Sequence, residues 1–326
     1  MLPKTLHLTV VATVSALLLM ASSALATERS EDIPDWLQNH VGTGEGKIAP
    51  VILQRARLLH QRKLREGAVS NPCYLAMDAT RPSAGPGGEP GRRFYIICEA
   101  EKSFRAVSSG YGNGRKLQRA NFSNGRQCAK NFSNAEGSKL TAGGAYVTAE
   151  TRTSFKGYFT QSGERVPFYR TFLLFDGEGE TDNARERAIG GHQARFLKWQ
   201  CRFQKPDSPH ADDEGYVPYG RLVDYTGGRS NGCTTWSEEV SAEILALVEG
   251  NPTTLYIYPE SGDVDAVAAA VRKRQSLVQA GLYWNAQCLN HIGTPRFWPK
   301  RDLQPIINAW RDSLPQYTPK PLPICN

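Results

Sequence analysis

The sequence predicts a mainly β, α+β protein with helical segments at both ends. Three observations carry that reading. The 326 residues include 30 glycines and 20 prolines, enough turn formers to favour many short strands over a helical bundle. From Cys73 onward, short apolar runs are separated by Gly, Pro, Asn and Ser, the spacing of a β-sandwich or barrel. Before and after that region, apolar residues recur near a helical period.

Taken in chain order, the first element is an apolar run, Leu6 to Met20, behind a single Lys4. It is shorter than the roughly 20 residues that span a bilayer. Ala24-Leu25-Ala26 has the small-x-small form of a signal peptidase site. Residues 1–26 therefore read as a cleaved signal peptide, and the chain from Thr27 as a periplasmic protein in a disulfide-permissive compartment. Residues 27–70 read as an N-terminal helical extension. Its first part, Thr27 to Gly46, is polar and expected to lack order. Ile48 to Arg65 is expected to be helical, with Val51, Ile52, Ala56, Leu58 and Leu59 on one face.

Residues 71–262 read as the main domain. Strands are expected at Arg93–Cys98, Phe104–Ser108, Ala145–Thr148, Phe168–Phe175 and Thr253–Tyr258. Pro82–Gly91 is a Gly/Pro-rich loop, and Ser237–Glu249 carries Val240, Ile244, Leu247 and Val248 at helical spacing. Residues 263–326 read as a C-terminal helical extension, with helices at Val264–Ala280 and Leu303–Leu314. Its Trp284, Trp298 and Trp310 predict a segment that packs on the main domain.

Composition narrows the function. Apolar residues make up 40% of the chain, which supports a packed core. A second long apolar run is absent, so a polytopic membrane protein is excluded. The formal net charge of +7 comes from 39 basic against 32 acidic residues. That balance suits either an ordinary solvated surface or attraction to an anionic cell-envelope polymer. Nucleic acid is not an expected partner, because no basic tract is interleaved with aromatics.

Seven cysteines, at 73, 98, 128, 201, 233, 288 and 325, leave at least one unpaired in an oxidising compartment. Three bridges among six cysteines allow 15 connectivities, and the sequence leaves all of them open. No C-x-x-C pair suggests a metal site.

Gly228-Arg229-Ser230-Asn231-Gly232-Cys233 is the sharpest motif. A thiol after glycine and small polar residues sits on a turn where backbone N–H groups can approach a reacting carbonyl. A nucleophilic cysteine needs a base nearby. Beyond residue 26 the histidines are His40, His60, His192, His210 and His291, and His192 lies within the expected β region after Ile189-Gly190-Gly191.

Five blocks in order make Phe132 to Trp236 resemble the YkuD-type L,D-transpeptidase catalytic domain, in its GRSxGC branch. They are Phe132-Ser133-Asn134 with Gly137-Ser138, then Gly144-Ala145-Tyr146-Val147-Thr148, then Asp182 to Ile189, then His192, then Gly228 to Cys233. With flanking strands the likeness runs from about Cys73 to Pro259. Two features depart from the family pattern: Gln193, rather than Gly, follows the histidine, and Asn231 and Thr235 stand where the best-known branch has His and Arg.

The resemblance implies a YkuD-like β-sandwich or barrel and an enzyme acting on peptidoglycan stem peptides. Cys233 would attack the carbonyl of an L-centre, with His192 as base and Gly232 offering a backbone N–H to the oxyanion. No metal or organic cofactor is required. Carbapenem-type β-lactams would be covalent inhibitors. With the odd count, the resemblance also implies that Cys233 is the free thiol. Ser230, Arg229, Asn231, Ser133 and Asn134 are the candidate substrate-binding residues. Each has a plainer alternative: a chain turn for Ser230, a structural ion pair for Arg229, and side-chain to backbone bonds for Ser133 and Asn134. Arg185 and Arg187 are expected to be structural.

The cross-link implied is 3-3 between diaminopimelate residues, or a variant such as 1,3 from L-Ala to diaminopimelate. L,D-carboxypeptidase or D-amino-acid exchange activity at the same site is the alternative. A non-catalytic murein-binding module is the rival from another class. A papain-like or NlpC-type peptidase fits less well, because that class places its cysteine before its histidine. Oligomeric state is not legible.

Overall fold

The computed structural model describes residues 33–224, 228–315 and 320–325. The expected signal peptide lies outside the described residues. So does the beginning of the segment expected to lack order. Its remainder is ordered: α1 (Asp35–Gln38) is a single helical turn. In the separate unit that begins at Asn39, Val41 bridges to Ile48. The buried Arg81 guanidinium accounts for this order, because it donates to the carbonyls of Gly44 at 2.9 Å and Lys47 at 2.5 Å. A polar composition did not mean an unstructured segment here, since the core supplies the donor.

From Asn39 the chain forms one compact unit. Helix α2 (Pro50–Arg65) begins with a proline, whose fixed φ and missing N–H suit the first helical position. It buries Ile52, Leu53, Ala56, Leu59 and His60. Strands follow as β1 (Cys73–Asp78), β2 (Arg92–Cys98), β3 (Ser103–Ser108), β4 (Tyr111–Gly112), β5 (Asn131–Phe132), β6 (Gly144–Gln161), β7 (Glu164–Glu178), β8 (Gly190–Gln193), β9 (Arg195–Gln204), β10 (Tyr216–Asp224), β11 (Arg229–Ser230) and β12 (Thr234–Trp236). Helix α3 (Glu238–Val248), β13 (Thr254–Tyr258), α4 (Ser261–Arg272), α5 (Ala286–Ile292), β14 (Arg296–Phe297) and α6 (Lys300–Asp312) complete it.

Among the described residues the strands form one ten-stranded mixed sheet and two small ladders, β11–β4 and β14–β5. The main path runs β12-β8-β7-β6-β13-β1-β2-β3, and the β9–β10 hairpin joins it through β6. Strand β1 is buried at every position, with α2 against it, so it shows none of the alternation of a half-exposed strand. Arg55 of α2 fastens this layer through Asp263, at 2.6 and 2.9 Å, and the Tyr256 hydroxyl at 2.8 Å. A single large core joins Phe94, Phe132, Phe175, Trp236 and Trp284 to α3 and α4.

The expected strands and helices recur with changed lengths. Strands β6 and β7 are far longer than the apolar runs at 145–148 and 168–175. Residues 150–154 of β6 are polar and exposed, so no apolar pattern marks them. Hydrogen bonding to a neighbouring strand, not burial, extends them. The helix expected to reach Ala280 stops at Arg272. Arg274 takes a left-handed φ of 54° and donates its N–H to Val271, which turns the chain out of the helix.

The C-terminal segment packs on the rest as its tryptophans suggested. Trp284 joins the main core, and Trp298 packs with Phe122, Leu140, Leu303 and Ile307. Disulfides Cys128–Cys288 and Cys201–Cys325 tie it down, and Cys73–Cys98 joins β1 to β2. Three disulfides fit an extracytoplasmic, oxidising compartment. Among the described residues no helix is long and apolar enough to cross a membrane.

Candidate active site

Strands β8 and β12 run side by side and parallel, with Gly191 opposite Thr234 and His192 opposite Thr235. Cys233 immediately precedes β12. Thr235 and its partner His192 lie on one face of the sheet. Cys233, in the turn just before β12, brings its thiol to the same edge of the sheet.

Cys233 is 9% exposed and is the one free cysteine among the described residues. Its Sγ lies 3.6 Å from the Ala188 carbonyl oxygen. Burial pushes the thiol pKa up, while the Gly190 N–H and the Arg170 and Arg187 guanidinium groups oppose that rise. The resting group is a protonated thiol at neutral pH.

His192 is 3% exposed and stacks on Phe172, its neighbour across β7, with ring centroids 5.5 Å apart. Its Nδ1 is 2.6 Å from the Gln193 carbonyl oxygen. A carbonyl only accepts, so Nδ1 carries the proton and Nε2 keeps its lone pair. Burial first, and the Arg170 charge second, hold the imidazole pKa down at about 4. Imidazole and thiol are thus both neutral.

The turn between β11 and β12 is built around Ser230. Its buried hydroxyl accepts from the Gly232 N–H at 3.1 Å and donates to the Cys233 carbonyl. Gly232 has φ +114°, a backbone that side chains rarely adopt, and an added Cβ would sit 3.1 Å from the Leu140 carbonyl oxygen. The Gly232 N–H, expected to face a reacting carbonyl, is instead engaged inside the turn. Gly191 is fixed by packing: a Cβ there would lie 2.0 Å from Trp236. This accounts for the glycine directly before the histidine.

The other expected site residues divide. Arg229 pairs through β11 with Tyr111, and its Nη1 donates to the Asn124 carbonyl at 3.4 Å. Asn231 is exposed at the tip of the turn. Ser133 belongs to a supporting turn, and Asn134 beside it is half-buried. Ser133 is fully buried, and its Oγ accepts from the Ala135 N–H. Asn134 donates to the Glu180 carbonyl and accepts from the Asn183 side chain. Arg185 pairs with Glu150 and Asp176 at the surface, the structural role expected. Arg187, expected to be structural, does donate to the Leu140 carbonyl at 2.7 Å, yet its charge also reaches Cys233.

Four contributors escaped sequence reasoning: Phe172, Arg170, the Gly190 N–H and the Gln193 carbonyl. Backbone groups have no residue-type signature, and Phe172 and Arg170 meet the site only through the β7–β8 pairing.

No family model, curated protein or solved structure matches this chain.

Proposed function

We propose that the protein is a periplasmic L,D-transpeptidase of the YkuD type, acting on peptidoglycan stem peptides. The observation that carries the reading is one reduced cysteine, Cys233, just before β12, whose neighbouring strand β8 carries a neutral His192 with its proton on Nδ1, while six cysteines are disulfide-bonded. The ordered sequence blocks, the mainly β sheet and the extracytoplasmic chemistry support it. A YkuD-like sandwich or barrel is the fold this reading entails.

In the proposed reaction, Sγ attacks the carbonyl of an L-centre as Nε2 of His192 takes the thiol proton. The C–N bond to the following D-residue breaks, and the proton passes to the departing amine, leaving a thioester on Cys233. An acceptor amine, usually the side-chain amine of diaminopimelate, attacks the thioester and loses its proton to His192. The new amide forms, the C–S bond breaks, and His192 returns the proton to sulfur. The Cys233 N–H is proposed to support the oxyanion, since the Gly232 donor is engaged by Ser230 and the Gly190 N–H by the thiol. The linkage is 3-3 or a variant such as 1,3. Water or a free D-amino acid in place of the acceptor would give carboxypeptidase or exchange chemistry.

Purified protein with disaccharide-tetrapeptide substrate, read by mass spectrometry, tests this. Wild type is expected to form cross-linked dimers and to carry a carbapenem adduct on Cys233. Cys233→Ala should show neither while remaining folded. Cross-links from the alanine variant, or an adduct on another cysteine, would overturn the proposal. A folded wild-type protein that binds murein and never acylates would favour the non-catalytic module.

A further inference from the structure

Arg170 lies past His192 as seen from Cys233. Gly191 of β8 pairs with Thr234, so the start of β8 is level with Cys233. Strand β7 runs antiparallel to β8, with Leu174 opposite Gly190 and Phe172 opposite His192. Arg170 follows two residues further along, beyond the imidazole. Residues two apart on a strand share a face. The Arg170 guanidinium accordingly sits 5.6 Å from the centroid of the Phe172 ring, which itself stacks on His192 at 5.5 Å. Along the strands the order is therefore Cys233, His192, Arg170.

This guanidinium is reachable and uncommitted. Arg170 is half-buried and makes no hydrogen bond or ion pair among the described residues. Its partner on β6 is the uncharged Ser154. The carboxylates of these two strands are engaged elsewhere or distant. Glu150 and Asp176 are held by Arg185, and Glu178 by Arg62 and Lys63. Glu164 stands at the hairpin turn, opposite Gln161.

Two cations act on the Cys233 thiol, Arg170 and Arg187, and Arg170 acts on the His192 imidazole as well. No carboxylate offsets them at either group. Arg187 donates to the Leu140 carbonyl at 2.7 Å. Arg170 is thus the cation beside the catalytic pair whose N–H groups are left for a ligand.

We propose that Arg170 is a specificity-determining residue that binds the free α-carboxylate of the D-residue that leaves. This rests on the transpeptidase reading and names what that site selects. In the reaction the scissile carbonyl meets Sγ, and the departing nitrogen takes its proton from His192. The α-carboxylate lies one carbon beyond that nitrogen. Carbonyl, nitrogen and carboxylate follow one another in the substrate as Cys233, His192 and Arg170 do along the strands. A planar guanidinium takes both carboxylate oxygens in parallel. In a 3-3 reaction the D-residue ends the tetrapeptide. In a 1,3 reaction it is the γ-linked D-glutamate, whose α-carboxylate is also free.

The test uses disaccharide-tetrapeptide and three derivatives, each amidated at one carboxylate: the terminal D-residue, the D-glutamate or the diaminopimelate. Mass spectrometry identifies the bond cut and its rate. Amidating the D-residue just after that bond should lower wild-type kcat/KM by about tenfold or more, the scale of a charge-assisted contact. The other two amides should react nearly as the parent does. Arg170→Gln should lose most of the discrimination. Arg170→Lys should keep part of it, since the charge remains without the fork. No loss on amidation, a loss that follows the diaminopimelate carboxylate, or undiminished discrimination in folded Arg170→Gln would each overturn the assignment. The wild-type comparison needs no variant, so misfolding of Arg170→Gln does not shield it. Equal turnover of acid and amides would overturn the Arg170 role and leave the transpeptidase reading standing. No turnover, with no carbapenem adduct on Cys233, would reject both.

Discussion

The carbonyl of Gln193 holds the proton of its own neighbour, His192, on Nδ1, at a separation of 2.6 Å. Orientation of the base thus comes from main chain, one residue away, and not from a carboxylate. An imidazole held this way gains little help in becoming charged. Burial and Arg170 keep its pKa near 4.

The pH dependence follows from that. His192 is the base only when neutral, and its pKa is depressed, so acylation should persist well below pH 6 and fall off near 4. The sign is the same for stability. Between the ordinary histidine value and about 4, the unfolded chain binds the proton and the folded chain does not. This contribution is present at neutral pH and is lost as pH falls through that interval. A pH–rate profile of carbapenem acylation checks the limb; an acid limb near the ordinary ~6.5 would contradict the geometry.

The thiol should behave as a shielded, protonated group. In unreduced folded protein, iodoacetamide should modify Cys233 alone, and its rate should titrate above the ~8.5 of an unperturbed thiol. Peptide mapping and a pH series provide both readings. Fast alkylation at pH 7 would indicate a preformed thiolate instead.

Ser230→Ala removes the hydroxyl that ties Gly232 to Cys233. Both bonds are buried, so a loss of about 1–3 kcal/mol is expected by urea unfolding. Acylation should slow as well, because the turn presenting Sγ loosens. Full activity with unchanged stability would show that the backbone holds the turn unaided.

Gly191→Ala should be severe and Gly262→Ala mild. The first would place a methyl 2.0 Å from Trp236, in a strand that carries His192, and overpacking of this kind typically costs about 1–3 kcal/mol or more. The second lies in α4 with nothing within 4 Å of the added methyl, so it should stabilise by roughly 0.4–1 kcal/mol. Thermal unfolding of the two variants side by side checks the contrast.

Cys128→Ser with Cys288→Ser opens a link between residues 160 apart in sequence. A loss of about 2–5 kcal/mol is expected, since long loops are constrained most in the unfolded chain. Limited proteolysis should then cut between α4 and α5, a region protected in the wild type. An unchanged unfolding midpoint would show that Trp284 and Trp298 hold the segment without the bridge.

The sequence by itself determined the β-rich class, α2 and α3, and the odd thiol, because periodicity, turn formers and cysteine parity are local or countable. It also marked Gly232 and Cys233, where a glycine-only backbone meets a reactive side chain. The disulfide pairing needed the fold, since pairs 160 and 124 residues apart leave no local trace. So did the extent of β6 and β7, because the exposed residues 150–154 of β6 are held by cross-strand hydrogen bonds that no side-chain pattern records. Ser133 looked available because small polar residues serve clefts and buried turns equally well; only burial separates the two uses. That the strand carrying His192 lies beside the segment that follows Cys233 was decided by the parallel pairing of β8 and β12, a contact between segments distant in the chain.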